Sequence, residues 1–265
     1  MAARLFLRLG NAIVNFILIV SLMISGAYAV YALWDNNQVL SAAGDVQADM
    51  IKLKPKMEPE AEDNSASFEE LLSINPDVVG WVSMDNTHID FPILQGSSNF
   101  DYINTDVYGN FALAGSIFLD SRNSGDFSDD YSLLYGHHMD NGNMFGDLDL
   151  YKDESFFRKN RTGALILPQT TFDLEIICCM LVGASDEYIF EPQSTQYHID
   201  GLLRYAEKNS LFVNEDVLTR ARETKDVQIL ALSTCSTEYT DARTIVLAVM
   251  DPHTAGGTGG EQNVQ

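Results

Sequence analysis

The chain has 265 residues, with 16 Lys+Arg against 38 Asp+Glu and a formal net charge of −22, and 46% of its residues are hydrophobic. That length suits one substantial domain plus an additional segment. Arg4 and Arg8 precede the first apolar run, which leaves 14 basic residues to face all 38 acids; so acidic a body excludes nucleic acid as a partner and a polybasic grip on anionic lipid.

Residues 12–34 are largely apolar, interrupted only by Asn15, Ser21, Ser25 and Gly26. This is about the length of helix that crosses a hydrocarbon core. With Arg4 and Arg8 on its N-terminal side and no acid before Asp35, the run reads as a signal anchor over 12–34, with residues 1–11 cytoplasmic and the remainder of a single-pass cell-membrane protein outside. The alternative is a cleaved secretory signal, for which Ala27-Tyr28-Ala29 loosely supplies a processing site; the apolar run is long for one. Residues 35–66 form an extracellular stem rich in Asp, Glu, Ala and Pro, where Lys54-Pro55-Lys56 and Glu58-Pro59-Glu60 break any long helix.

A folded domain is expected over 67–251. Ser67 followed by Glu70 suggests a capping box for a short helix carrying Phe68, Leu71 and Leu72, stopped at Asn75-Pro76. Short β-like runs follow at 78–84, 89–94, 116–119, 131–135, 164–167 and 172–182, separated by turn residues such as those at 96–99 and 123–126. From Tyr197 to Asn209 the period changes: Ile199, Leu202, Leu203 and Ala206 fall three and four apart, with Asp200 early and Lys208 late, which predicts a helix. Two more apolar runs, 227–232 and 244–249, complete the series, and the glycine-rich tail over 252–265 is expected to be flexible. Many short strands at modest spacing point to a mainly β closed barrel with one helical insertion between late strands.

The chemistry gathers at strand ends. Cys235 ends the run that passes through Ser233-Thr234, Arg243 opens the next, and Tyr131 to Tyr135 stops at Gly136-His137-His138. A thiol, an imidazole and a guanidinium can act as nucleophile, acid/base and oxyanion stabiliser. His137 and His138 are consecutive, so only one of them faces Cys235. Residue 236 is Ser, so no local acid completes a Cys-His-Asp triad. Cys178 and Cys179 lie inside a strand-like run and read as buried small apolar residues on opposite faces. No Cys/His spacing resembles a zinc site. The acidic stretch from Asp120 to Asp130 fails the calcium-loop pattern, because Arg122 takes a ligand position and no terminal Glu follows; it reads as a solvated turn.

The order of these pieces resembles the sortase family, and class B sortases most closely. The matching residues are Leu232-Ser233-Thr234-Cys235, Tyr135-Gly136-His137-His138 and Arg243, together with the segments Asn75 to Val82 and Ala114 to Asp120. The resemblance runs from roughly residue 67 to 251 and implies a closed sortase-type β-barrel of about eight strands with an N-terminal helix. It implies that the histidine directly after the glycine, His137, is the acid/base, with Cys235 as nucleophile and Arg243 as third partner. Asn99, Ile103, Tyr135, Tyr188, Ile189, Ser233 and Thr234 match groove positions that bind substrate. The implied activity is a cysteine transpeptidase without cofactor or metal. It would cut a C-terminal sorting motif of exported proteins at a Thr-x bond through a thioacyl-enzyme. The acyl group would pass to an amine of a cell wall precursor peptide or of a pilin subunit. Two rivals use the same sequence features: a Cys-His hydrolase acting on peptidoglycan or protein, and a non-enzymatic surface module.

Overall fold

The computed structural model describes residues 2–55, 65–139, 142–235 and 241–253. It divides into two units, residues 1–42 and 43–265. The first unit is helical throughout its described length, part of helix α1 (Ala2–Ile51), and the apolar side chains of its 12–34 run are exposed apart from the half-buried Val20. By length and composition this helix is able to cross a membrane. The helix persists past residue 34 and ends at Ile51, ahead of Pro55.

In the second unit the last turns of α1 pack as part of the domain. Met50 is buried, with Val46 and Leu53 beside it, against Phe68 and Leu71 of α2 (Ser65–Ile74) and Trp81. Phe68 and Leu71 lie three apart and share the helix's inner face, whereas Leu72 stays exposed. The helix begins at Ser65, before the predicted start, and the side chain of Ser67 lies outside the described residues. At its end the Asn75 side chain accepts from Asp77 N (2.9 Å) and donates to the Val107 carbonyl (3.0 Å), which turns the chain into the first strand.

Nine strands follow among the described residues: β1 (Val78–Met84), β2 (Asp90–Leu94), β3 (Ile117–Leu119), β4 (Tyr131–Tyr135), β5 (Thr162–Ile166), β6 (Thr171–Gly183), β7 (Ser210–Val213), β8 (Ile229–Cys235) and β9 (Ala242–Pro252). Their order is β5-β1-β2-β3-β4-β8-β9-β6, and a β5–β6 pairing closes the ring, so eight strands make a barrel and β7 adds to the outer edge of β6. Closure pairs strands that would otherwise be left as free edges. Pairings β2–β3 and β4–β8 are parallel; the others are antiparallel.

Strand alternation divides the core in two. Leu134, Leu230, Leu232, Val246, Ala248 and Cys179 turn inward, onto Phe145, the 3-10 segment Gly146–Lys152 and Phe157 of α3 (Glu154–Lys159). Leu133, Ile229, Ala231, Ile245, Leu247 and Cys178 turn outward. That outer face is covered by Leu202, Leu203 and Ala206 of α6 (Ile199–Asn209) and by Val217, Leu218 and Ala221 of α7 (Glu215–Glu223). Helix α6 thus occupies the expected place between late strands, preceded by the single turns α4 (Glu187–Phe190) and α5 (Pro192–Thr195). Cys178 and Cys179 are both fully buried, on opposite faces as alternation requires, and burial pushes the Cys178 thiol up to about 12.

Several features differ from the sequence reading. Helix α1 runs on to Ile51, into the expected stem, and the 3-10 segment Gly146–Lys152, α3, β7 and α7 fill stretches that showed no assigned element. The 120–130 segment is solvated only in part: Asp126, Ser128 and Asp130 are exposed, but Asp120 is fully buried, and Asn123 is buried with its amide bonded to Tyr131 O and Asp129. A carboxylate is held in the interior there because an arginine comes with it.

Candidate active site

The pairing of β4, β8 and β9 determines the site. Because β4 and β8 are parallel, both C-terminal ends reach the same rim of the barrel, and antiparallel β9 begins there. The β4–β8 ladder ends with Tyr135 opposite Ser233, and Gly136 N adds one more bond to Ser233 O at 3.1 Å. Two residues further along each parallel strand come His137 and Cys235. On the other side of β8 the final rung pairs Cys235 with Arg243, after Ser233 with Ile245 and Thr234 with Thr244. Cys235 is placed here by its backbone alone. Gly136 is required at this turn by close approach, since a Cβ there would lie 2.5 Å from Ile117 Cδ1 and 2.7 Å from the Phe145 ring.

The two histidines diverge. His137 is half-buried, and its Nε2 lies 2.8 Å from Ile103 O. A carbonyl only accepts, so in this arrangement Nε2 carries the hydrogen. His138 goes the other way: its Nε2 is 3.1 Å from Asp149 Oδ2, while Asp149 Oδ1 accepts from Thr244 Oγ1 at 2.9 Å and Lys152 Nζ lies 3.0 Å from the same carboxylate. Asp149 therefore ties the residue after His137 to the residue after Arg243. Arg243 is half-exposed, with NH1 donating to Ala242 O at 2.9 Å and no carboxylate paired with it among the described residues. Ser233 and Thr234 are buried, and Thr234 Oγ1 has no hydrogen-bond partner among the described residues.

Of the expected groove residues, Ile103 lies against His137 through its carbonyl, and Tyr135 sits across the ladder from Ser233. Asn99 and Tyr135 meet at one acceptor, Asp120 Oδ2, at 2.9 and 3.0 Å. The Tyr135 ring stacks between Phe118 (centroids 5.2 Å apart) and Phe190 (6.3 Å). Burial, then the Asp120 carboxylate, raises the Tyr135 phenol well above its ordinary range, so it stays a donor. Ile189 is fully buried, its carbonyl accepting from Tyr131 at 2.9 Å, and the exposed Tyr188 stacks on Tyr205 of α6 at 4.6 Å. Asp149, Asp120 and Arg122 were not singled out from the sequence as parts of the site. For the last two the sequence offered only an aspartate two residues before an arginine at a strand end, with no sign of burial.

No family model matches the chain. Sortase B of Staphylococcus aureus (strain NCTC 8325 / PS 47) is 28% identical over 237 residues, 89% of this chain and 94% of that protein. Sortase B of Listeria monocytogenes serovar 1/2a (strain ATCC BAA-679 / EGD-e) is 34% identical over 182 residues, which are 67% of this chain and 71% of that protein. The chain belongs to the class B sortases. Its structure agrees: Spy0129, a Streptococcus pyogenes class B sortase involved in pilus biogenesis, superposes with a TM-score of 0.62 at 36% identity, over 69% of this chain and 97% of that one. The closed eight-stranded barrel is like that of the class B sortase structures, and the enzyme is a sortase transpeptidase.

The Ile103 carbonyl that meets His137 is held by a neighbouring glycine. Gly115 adopts φ +58°, and a Cβ there would stand 2.2 Å from Ile103 O and 2.7 Å from Tyr102 O. Gly115→Ala is therefore expected to push the carbonyl off His137 and to cost about 1–3 kcal/mol of stability. Thermal unfolding together with the His137 imidazole NMR shifts tests this. A variant with unchanged melting and unchanged His137 shifts would contradict it.

Proposed function

We propose that this sortase joins exported proteins to an amine by two acyl transfers through Cys235, at the outer face of the cell membrane. The observation that carries the reading is the strand register, which pairs Cys235 with Arg243 and sets His137 two residues beyond the Tyr135–Ser233 rung. The Cys235 thiolate attacks the carbonyl of a Thr-x bond in a C-terminal sorting motif. Arg243 stabilises the tetrahedral oxyanion through its forked, permanently charged donors. As the C–N bond breaks, His137 delivers a proton to the leaving amine and a thioacyl-enzyme remains. The incoming amine, from a wall precursor peptide or a pilin lysine, then attacks that carbonyl. His137 takes up its proton, and Cys235 leaves as thiolate. With Nε2 engaged by Ile103 O, Nδ1 is the nitrogen open for this exchange. No cofactor or metal enters these steps. Asn99, Ile103, Tyr135, Tyr188, Ser233 and Thr234 are assigned to substrate binding, whereas Ile189, fully buried with its carbonyl on Tyr131, serves to seat the insertion that carries Tyr188.

The test uses the full chain in detergent, a quenched fluorogenic library of short peptides containing one Thr-x bond, and small amines or wall-type peptides as acceptors. Conjugate should rise at the expense of hydrolysis product as amine is added. Hydrolysis unchanged by any amine would favour the hydrolase reading. Cys235→Ala should be inert and His137→Ala nearly so, with His138→Ala mild. Arg243→Lys should lose on the order of 10²–10³ in rate although charge is kept. A dead His138→Ala beside an active His137→Ala would reverse the assignment of the acid/base, and a near-normal lysine variant would leave Arg243 only a general positive potential.

The same proposal makes residues 12–34 of α1 a single-pass anchor with Arg4 and Arg8 on the cytoplasmic side. Protease added to wall-stripped cells should digest the domain and leave a membrane-bound stub. Release of a soluble protein lacking residues 1–29 would show that the segment is instead removed.

A further inference from the structure

The site as proposed does not use Arg122, yet this side chain joins two separate segments, the end of β3 through Asp120 and the insertion through Phe190 O and Glu191. It follows β3 by three residues, and its Nε and NH2 bind the two oxygens of Asp120 at 2.9 and 2.8 Å, a bidentate fork on a fully buried carboxylate. The backbone N of Arg122 adds a third bond to Oδ1 at 2.9 Å. The remaining donors to that carboxylate are Asn99 Nδ2 and the Tyr135 hydroxyl. Asn99 is pinned at its other end too, since its Oδ1 accepts from Ser121 N at 2.7 Å. Arg122 also reaches outward. NH2 donates to Phe190 O at 2.8 Å and NH1 to Glu191 Oε2 at 3.0 Å, in the insertion between β6 and β7. Phe190 is the residue whose ring covers Tyr135.

We propose that Arg122 is a positioning residue for peptide recognition: through Asp120 it fixes Asn99 and Tyr135, and through Phe190 O and Glu191 it locks the insertion over them. Neutralising a buried carboxylate needs only the inner fork; the two outward bonds have no such purpose and join a separate segment to the groove. Burial would push the Asp120 carboxyl up, but the hydrogen bonds from Arg122, Asn99 and Tyr135 outweigh it and hold the group below its ordinary range. The fork therefore stays charged on both sides wherever the enzyme is folded near neutrality. Arginine is needed because one planar group must serve Asp120 and the insertion at once, which a lysine ammonium cannot do. Wall positions fixed before the peptide arrives reduce the ordering cost of binding, so the effect falls on substrate affinity.

This inference rests on the reading of Asn99 and Tyr135 as groove residues, and the experiment separates the two. Kinetics of the full chain are measured on the best-cleaved member of the fluorogenic library. Arg122→Lys should raise KM about tenfold with kcat changed by less than about threefold, as for a coupling carried by neighbouring groups. Glu191→Gln, which leaves the buried fork intact, should raise KM about threefold with no change in melting temperature. Should Arg122→Lys fold poorly, the paired variant Asp120→Asn/Arg122→Gln removes both charges together, and it should keep the fold while raising KM. Asn99→Ala should also raise KM. If Asn99→Ala raises KM while the Arg122 and Glu191 variants do not, the positioning role is overturned and the groove reading stands. If Asn99→Ala and Tyr135→Phe leave KM unchanged, the groove reading itself falls and this inference falls with it. A loss confined to kcat in Arg122→Lys would also overturn it.

Discussion

Everything at the rim of this barrel depends on one pairing, the parallel ladder between β4 and β8. Parallel strands end on the same side, so the chain leaves β4 at Gly136-His137 beside the point where it leaves β8 at Thr234-Cys235. The antiparallel return of β9 then starts at Ala242-Arg243, directly across from Cys235. Three residues far apart in the chain are thus delivered to one place by backbone hydrogen bonds rather than by loops. The ladder is anchored on both faces. Leu230 and Leu232 turn into the barrel while Ile229 and Ala231 turn under α6 and α7, so a slip of one residue would exchange every buried contact.

Side-chain networks refine what the ladder provides. On the inner side Asp149 accepts from Thr244 and bonds His138, so the turn carrying His137 and the strand carrying Arg243 share one carboxylate. On the outer side Asp120 and Arg122 join the β2–β3 connection, the end of β4 and the insertion. Removing Arg122 would leave the fully buried Asp120 carboxylate without its counter-charge, whereas the partly exposed Asp149 is compensated in part by solvent. Interior charge is thereby tied to geometry at the groove.

Much of this was legible in the sequence where periodicity is strong. Strands β1 and β4 match the β-like runs residue for residue, and α6 follows the spacing of Leu202, Leu203 and Ala206. Helix α7 escaped because it is short and mostly charged, with an apolar stripe of only Val217, Leu218 and Ala221; its preceding Asn214 side chain bonds Ile176 O instead of capping the helix. Strand β7 escaped because it is only four residues long and none of its residues is fully buried. The Asp120–Arg122 pair was misread because composition near a turn suggests solvent, whereas the groups that hold the pair, Asn99, Tyr135 and the Phe190 carbonyl, come from other parts of the chain. Local pattern does not carry that information. The divergence of His137 and His138 was legible, since consecutive residues at a strand end turn to opposite sides, but their partners, Ile103 O and Asp149, come from tertiary contacts alone.

The central claim, a covalent acyl intermediate on the thiol at the end of β8, is tested most directly by intact-mass analysis. The full chain is incubated with a cleavable Thr-x peptide in the absence of amine, quenched in acid, and the adduct is located by peptide mapping. The account predicts added mass equal to the acyl half of the peptide, on Cys235 and not on the buried Cys178 or Cys179, discharged when amine is supplied. Cleavage without any adduct on Cys235, or cleavage that survives Cys235→Ala, would contradict it.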